Sequence, residues 1–498
     1  MKFSNLISPL FIIIFIVAVS PAQSQCPPVY TFTGEQEEDW FGYSVASAGD
    51  VNNDGYNDFI IGAPFAGGFY SPGRAYVFSG LTGDMLYVFT GETDFDLFGG
   101  SVSGAGDVNN DGFDDVIIGA NGYGSLGFFP GRAYVHSGKT GDVIHVFTGE
   151  NTYDQFGSSV ASAGDVNSDG FSDLIVGAAL NDAGGYDAGR AYVFSGQTGD
   201  TLYVFTGESA YDRFGFSVAS AGDVNNDGFD DLIMGADWHN AGGNKAGRAY
   251  VFSGQSGDTL HIFTGEAEFD LFGNSVASAG DVNSDGFDDL IVGAYLNDAG
   301  GGSAGRAYVF SGQNGDTLYV FTGEATKDAL GRSVASAGDV NNDGFEDMIV
   351  GAPSNIVEDF GAGRAYVFSG QTGDTLHVFT GEAAIDQFGF SVASAGDVNN
   401  DGFDDLIVGA RFNDAGGNDA GRVYVFSGKP CLCADANGDS LVNVDDVDFL
   451  IAYYFYGGAT PFPYSASDLN CDGSVNIADI TYLAAYINGT GAAPCCEQ

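Results

Sequence analysis

Apolar residues along this chain fall into short β-rich runs rather than helical stripes, and the runs recur as a set. One copy begins at Phe156-Gly157 and continues through Ser158-Ser159-Val160-Ala161-Ser162-Ala163-Gly164, a run of small residues. Asp173-Leu174-Ile175-Val176-Gly177-Ala178 is almost continuously apolar, as a strand buried on both faces should be. Gly189-Arg190-Ala191-Tyr192-Val193-Phe194-Ser195-Gly196 comes third, and after a Thr-Gly-Asp turn Thr201-Leu202-Tyr203-Val204-Phe205-Thr206-Gly207-Glu208 comes fourth. Gly, Asn and Asp punctuate every junction, which marks turns. No apolar period of 3.6 occurs before about residue 440. Four strands in about 58 residues, repeated, predict the blade of a β-propeller rather than the coil of a solenoid. The small-residue run suits an innermost strand crowded around an axis, and the Tyr and Phe of the outer runs suit packing between blades.

The repeat starts out of phase. Val29-Tyr30-Thr31-Phe32-Thr33-Gly34-Glu35 matches the fourth run, yet no first three runs precede it. The last copy stops after its third run, Arg422 to Gly428. The N-terminal strand is therefore expected to complete the last blade and close the ring, which hides the open sheet edges. Seven blades follow. On repeat alignment Cys26 and Cys431 both fall at the Gly of the Thr-Gly-Asp turn, with no Cys in the 404 residues between them. That predicts a Cys26–Cys431 disulfide clamping the closure.

Between the first and second runs lies a nine-residue pattern, Asp-Val-Asn-Asn/Ser-Asp-Gly-aromatic-x-Asp, seen seven times. Its candidate ligands, at positions 1, 3, 5, 7 and 9, are Asp50, Asn52, Asp54, Tyr56 and Asp58 in the first copy, then Asp107, Asn109, Asp111, Phe113 and Asp115. The next copies give Asp165, Asn167, Asp169, Phe171 and Asp173, then Asp223, Asn225, Asp227, Phe229 and Asp231. Asp281, Asn283, Asp285, Phe287 and Asp289 form the fifth set, and Asp339, Asn341, Asp343, Phe345 and Asp347 the sixth. The seventh is Asp397, Asn399, Asp401, Phe403 and Asp405. Alternate positions of a tight loop point inward, so side-chain oxygens from positions 1, 3, 5 and 9 and the carbonyl of position 7 converge. Hard oxygens without Cys or His select Ca²⁺, since Mg²⁺ prefers to keep its waters. Gly at position 6 supplies the sharp turn. The aromatic of position 7 is expected to plug the loop into the core. A metal-free Asx turn is the bland alternative, and seven near-identical copies weigh against it.

Charge agrees with the metal reading. The formal net charge is −52, from 67 acidic and 15 basic residues, and the candidate ligand positions of the seven loops hold 21 of those acids. Bare clusters repel, whereas with calcium each loop falls to about −1. Such acidity argues against nucleic acid and anionic lipid as partners. Residues 1–24 read as a secretory signal peptide: Lys2, an apolar run from Leu6 to Val19, and Ala22-Gln23-Ser24 at the cleavage site. The mature protein is expected to be secreted, extracellular or cell-surface associated, without membrane insertion, where calcium and disulfides coexist. The expected domains are the signal peptide 1–24, the propeller 25–429 and a C-terminal module 430–498.

That module carries two twelve-residue loops, each ahead of an apolar run. Oxygen ligands fall at positions 1, 3, 5, 9 and 12, with the carbonyl of position 7. They are Asp435, Asn437, Asp439, Leu441, Asn443 and Asp446, then Asp468, Asn470, Asp472, Ser474, Asn476 and Asp479. This is an EF-hand-like loop ahead of a helix, twice, with Asp in place of the bidentate Glu.

The two parts of the chain resemble two known families. The Phe-Gly pairs at 41, 98, 156, 214, 272 and 388, the acidic loops, and Gly62-Ala63-Pro64 with Gly351-Ala352-Pro353 resemble the FG-GAP repeats of the integrin-α type propeller over about residues 29 to 428. Leu330-Gly331 departs from Phe-Gly in the sixth blade. The resemblance implies an all-β, seven-bladed, calcium-binding propeller. The C-terminal pair resembles a type I dockerin, a small α-helical module of paired loop–helix units that plugs into cohesin domains. It implies that loop positions 10 and 11, Val444 with Asp445 and Ile477 with Ala478, are partner-binding.

Arg74, Arg132, Arg190, Arg248, Arg306, Arg364 and Arg422 share one repeat position, as do Glu35, Glu92, Glu150, Glu208, Glu266, Glu324 and Glu382. An active site is rarely copied seven times, so structural ion pairing is expected. His145, His261 and His377 replace a fourth-strand Tyr as packing substitutions, and His239 beside Trp238 is the one histidine read as a site residue. No nucleophile elbow, zinc motif or phosphate loop occurs. The repeats diverge between second and third strands, where Phe69, Tyr70, Phe128, Phe129, Trp238 and Phe412 are expected to be exposed for a glycan or protein. The favoured reading is a secreted calcium-loaded binding or adhesion propeller, docked through its dockerin onto a cohesin-bearing scaffold or surface. The rival is an extracellular polysaccharide-degrading enzyme or an auxiliary part of a cellulosome-like complex.

Overall fold

The computed structural model describes residues 28–68, 70–122, 130–355, 361–429, 436, 442, 444–458, 467, 469 and 475–488. The signal segment and all six cysteines, with the Cys26–Cys431 pairing, lie outside the described residues. One compact unit spans Cys26–Pro430, and the residues from Cys431 onward belong to a second.

The large unit consists of seven four-stranded antiparallel sheets. In the third blade the strands run Phe156–Gly164, Asp173–Ala178, Arg190–Phe194 and Thr201–Thr206, paired in that order. Every residue of the second strand is buried, which is why its sequence is apolar without alternation. The fourth strand alternates exposed and half-buried positions as the outer edge. First strands of successive sheets neighbour one another in a closed cycle, so they line the axis. Ser159 pairs with Gly177 and Gly164 with Asp173. The acidic loops therefore lie at one end of every blade, and the Phe-Gly and Gly-Ala pairs at the other.

The last blade is assembled from both ends of the propeller, as the phase of the repeat predicts. Tyr30–Thr33 adds beside Arg422–Phe426, with Tyr30 opposite Val425 and Thr33 opposite Arg422.

Neighbouring blades meet through the motif glycines. A Cβ on Gly177 would collide with the carbonyl oxygen of Gly215 in the next blade, and the same Gly-Ala to Phe-Gly contact recurs around the ring. Gly177→Ala is therefore expected to destabilise by about 3 kcal/mol, because a backbone oxygen cannot step aside. Gly170→Ala faces open space at φ +86 and should cost only about 1 kcal/mol for its left-handed backbone. Denaturant midpoints of the two variants check the order. Aromatics fill the seams: Phe194 stacks on Phe147 of the preceding blade at 4.1 Å, and Phe156 meets Tyr192 edge-on at 5.4 Å.

In the C-terminal unit, α1 covers Val444–Tyr456 and α2 covers Ile477–Ile487. Ala436, Leu450, Leu469, Val475, Ile480 and Leu483 form its core. Asn476 caps α2, its side chain accepting from the Ala478 N–H at 2.8 Å while Asp479 accepts from the Asn476 N–H at 2.8 Å. No helix among the described residues is long and apolar enough to cross a membrane.

Candidate metal loops and the variable face

Each acidic loop folds on its own amides. In the third blade Asp165 accepts from the N–H groups of Asp169 and Gly170, at 3.1 and 2.9 Å, and Asp169 accepts from Phe171 at 3.0 Å. Asp173 accepts from the Val166 N–H at 3.1 Å and from the Gly196 N–H of the Thr-Gly-Asp turn at 3.0 Å. Ser168, at position 4, sits at φ +57, and its six counterparts, five of them Asn, are also left-handed. Short polar side chains tolerate that backbone. The expected core plug is corrected: the position 7 aromatics are only half-buried, because the loop arches away from the blade. Position 2 is the plug, with Val51, Val108, Val166 and Val224 each 1% exposed.

Each loop concentrates carboxylates within nine residues. Burial, reinforced by the loop's own carboxylates, pushes Asp58, Asp115, Asp173, Asp231, Asp289 and Asp347 up to about 7 and Asp405 up to about 8. Asn52 Oδ1, Asn341 Oδ1 and Asn399 Oδ1 are buried without a hydrogen-bond donor among the described residues. Orphaned acceptors beside a carboxylate cluster fit a hard cation, and the donor set is oxygen alone. Among the described residues, no three His, Cys, Asp or Glu side chains are drawn together as a formed metal group. Asn167 Nδ2 points at Asp173 Oδ2 at 3.0 Å, so this amide would have to turn to present its oxygen to an ion.

The C-terminal loops close in a related way. Asp446 accepts from the Ala436 N–H at 2.8 Å and Asp479 from the Leu469 N–H at 2.9 Å. In both loop types the last carboxylate thus takes the amide of position 2. Asp435, Asn437, Asp439, Leu441, Asn443, Asp468, Asn470, Asp472 and Ser474 lie outside the described residues. Val444 and Ile477 are 61% and 52% exposed, and Asp445 and Ala478 beside them are exposed too, all four on the first turns of α1 and α2.

Recurrent charges are structural. Seven Arg–Glu pairs, from Arg74–Glu35 at 2.9 Å to Arg422–Glu382 at 2.7 Å, each join a third strand to the connection leaving the previous blade. Two further staples join the blades. Ser391 Oγ accepts from the Val45 N–H, Ser44 from Val102 and Ser101 from Val160, so the serine after each Phe-Gly-x ties blade to blade. Tyr203 donates to the Gln255 carbonyl of the next blade at 2.9 Å, and His145 and His261 hold Gly196 and Gly312 there at 2.7 Å. These histidines are inter-blade hydrogen-bonding groups, beyond mere packing. His239 is also corrected. It is buried against Glu208 and Asp212, where other blades place Asn181, Asn297 and Asn413 on the equivalent Asp.

The face opposite the loops is built differently. Residues from all seven first strands surround an axial cavity of about 500 Å³, onto which Asn121 Oδ1, Ser158 Oγ and Asn274 Oδ1 point without partners among the described residues. The chain's eight non-repeated basic residues are Lys2, Lys139, Arg213, Lys245, Lys327, Arg332, Arg411 and Lys429. Four of them gather here on aromatic rings: Arg213 over Phe216 and Trp238, Lys245 over Trp238, Arg332 over Phe390, and Arg411 over Phe390 and Phe412. Trp238 and Phe412 are therefore half-buried, not exposed as expected. Tyr70 is exposed, at 68%, while Phe69, Phe128 and Phe129 lie outside the described residues. The signal for this cluster was present in the sequence as departures from the repeat.

Comparison with known proteins gives seven matches to the FG-GAP repeat, at residues 41–78, 98–136, 156–194, 214–252, 272–310, 330–368 and 388–426. The chain is 35% identical to integrin alpha-5 of Xenopus laevis over 218 residues, 40% of this chain and 20% of that protein. It is 30% identical to integrin alpha-8 of Gallus gallus over 228 residues, covering 42% and 20%. It is 31% identical to integrin alpha pat-2 of Caenorhabditis elegans over 284 residues, covering 51% and 22%. The chain thus spans about a fifth of the length of the curated relatives it matches.

Proposed function

The chain belongs to the FG-GAP repeat family, and from that premise we propose that it is an extracellular, calcium-loaded binding or adhesion propeller, tethered by its C-terminal module to a cohesin domain on a scaffold or cell surface. One observation carries this reading, the division of labour between the two faces. One face repeats an acidic, oxygen-only loop in every blade; the other breaks the repeat and gathers cations on aromatic rings. Calcium at the loops neutralises charge and fixes the blades, leaving the variable face to take a glycan or a protein. The integrin alpha relatives agree with a cell-surface binding role.

The tether rests on Val444 and Ile477, apolar, exposed and equivalent in the two loop–helix units. Val444→Lys with Ile477→Lys should weaken capture by a type I cohesin at least about a hundredfold, as loss of a central apolar contact does. The melting temperature should hold, since both side chains face solvent. Titration of the full chain in calcium against a cohesin panel checks this. Binding that survives the double substitution would remove these positions from the interface, and binding to no cohesin would remove the tether.

A further inference from the structure

Beside the axial cavity, between the fourth, fifth and sixth blades, lies a smaller one of about 290 Å³, near the lower limit of small-ligand sites. Asp237 forms its floor. That side chain is 3% exposed, its Oδ2 lies 3.2 Å from Arg213 Nη1, and its Oδ1 has no hydrogen-bond partner among the described residues. Arg213, Lys245 and Arg332 line the same cavity, and all three act electrostatically on Asp237. Arg213 is held by its ion pair. Lys245 and Arg332 form no ion pair among the described residues, but each is fixed over a ring, Lys245 on Trp238 at 3.3 Å and Arg332 between Tyr295 and Phe390 at 5.3 and 4.7 Å. A stacked guanidinium keeps its planar edge free for a carboxylate. In a chain of net charge −52, three cations around one carboxylate are a local reversal of sign.

Two needs meet in this space. The buried Asp237 Oδ1 asks for a donor, because an unsatisfied carboxylate oxygen is costly to bury. Lys245 and Arg332 ask for an anion. A ligand residue with hydroxyls and a carboxylate on one compact ring answers both. We propose that the cavity between Asp237, Lys245 and Arg332 binds a uronate residue of an acidic polysaccharide, its carboxylate on Lys245 and Arg332 and a ring hydroxyl donating to Asp237. An acidic peptide also brings an anion and N–H donors, but it sets them on a flexible side chain and backbone that must be ordered on binding, whereas a uronate holds carboxylate and hydroxyls on one rigid ring, so the sugar is favoured. The protein's overall negative charge does not forbid this, since at physiological salt it is screened beyond about 8 Å. The inference rests on the variable face being the ligand face, and it names the ligand class there.

The test uses the full chain in calcium at physiological salt, with Trp238 fluorescence as readout in a Trp40→Phe background, because Trp40 is the other of two tryptophans. The probes are short oligogalacturonates, the same oligomers with their carboxyls reduced to alcohols, and poly-L-glutamate. Oligogalacturonate should bind best. Lys245→Gln and Arg332→Gln, made singly and checked for an unchanged melting temperature, should each weaken it about tenfold to a hundredfold, as losing a charge-assisted hydrogen bond does. The reduced oligomer should bind the protein with Lys245 and Arg332 intact as weakly as oligogalacturonate binds a variant that carries Lys245→Gln and Arg332→Gln together. Equal binding of reduced and acidic oligomers overturns the uronate assignment. So does Lys245-dependent binding of polyglutamate at equal or higher affinity, though the variable face would then stand as a ligand face for peptides. Absence of binding by every probe overturns the uronate site, and a parallel calcium titration of the loops shows whether the calcium-loaded propeller survives that failure.

Discussion

Removing calcium with a chelator is expected to lower the melting temperature of this chain by about 20 °C or more, the largest change any single reagent should produce. A ligand that binds only the folded state at a hundredth of its free concentration adds about 2.7 kcal/mol. Domains are stable by only about 5–15 kcal/mol. Several such loops acting together therefore rival the whole net stability. The cost of their absence is electrostatic rather than conformational. Asp165 and Asp169 accept from the loop's own amides, bonds that a chelator does not remove, so the loop's shape should survive. What remains is Asp173, buried among like charges and pushed up to about 7.

That argument also fixes the sign of a mutation. Asp169 is exposed, and it is one of the charges that push Asp173 up. Asp169→Asn keeps an oxygen for the Phe171 amide and removes the charge. In calcium it should lower the melting temperature, because a ligand charge is lost. In chelator it should raise it slightly, because a repulsion is relieved. A decrease of equal size in both conditions would mean that the loop is an Asx turn without a metal role.

Much of this architecture was legible because it repeats. Seven copies of one strand pattern gave the blade, its strand order and the out-of-phase N-terminal strand, and each copy tested the others. What stayed hidden depends on ring geometry that no single repeat contains. In Ser158-Ser159-Val160-Ala161-Ser162 nothing marks Ser159 as the hydroxyl that meets the Val218 amide of the next blade at 3.1 Å. The alternation of Tyr203 with His145 and His261 reads as packing in a single repeat, whereas in the ring both residue types bond the neighbouring blade. An aromatic at position 7 is the larger apolar group, but the loop leaves it half-buried, and the apolar side chain that faces the blade is the valine of position 2. The cluster of Arg213, Lys245 and Arg332 spans more than a hundred residues of sequence. Each member departs from its repeat column, and such departures mark where periodicity yields to function.

Closure of the ring is the second place where a small change should have a large effect. Deleting residues 28–35 removes the strand Tyr30–Thr33 and leaves the last blade with three strands. The loss reaches beyond the ladder. Phe32 packs on Phe78 and Phe59 of the first blade at 4.3 and 5.4 Å, and the Tyr30 hydroxyl donates to the Leu81 carbonyl at 2.9 Å. Glu35 would go as well, freeing Arg74. The edge of Arg422–Phe426 would then stand open, and an open apolar edge recruits other chains. The deletion is expected to give a chain that aggregates or melts without a cooperative transition. The decisive comparison restores the strand elsewhere. Inserting a Thr-Gly-Asp turn followed by residues 28–36 after Lys429 in the deleted chain returns the fourth strand to the last blade by the connection every other blade uses. Its melting temperature should recover to within a few degrees, because the same contacts form and loop-closure entropy changes slowly with length. If the reinserted strand fails to rescue while the intact chain melts cooperatively, closure depends on where the N-terminal segment begins, and the strand pairing alone does not hold the ring.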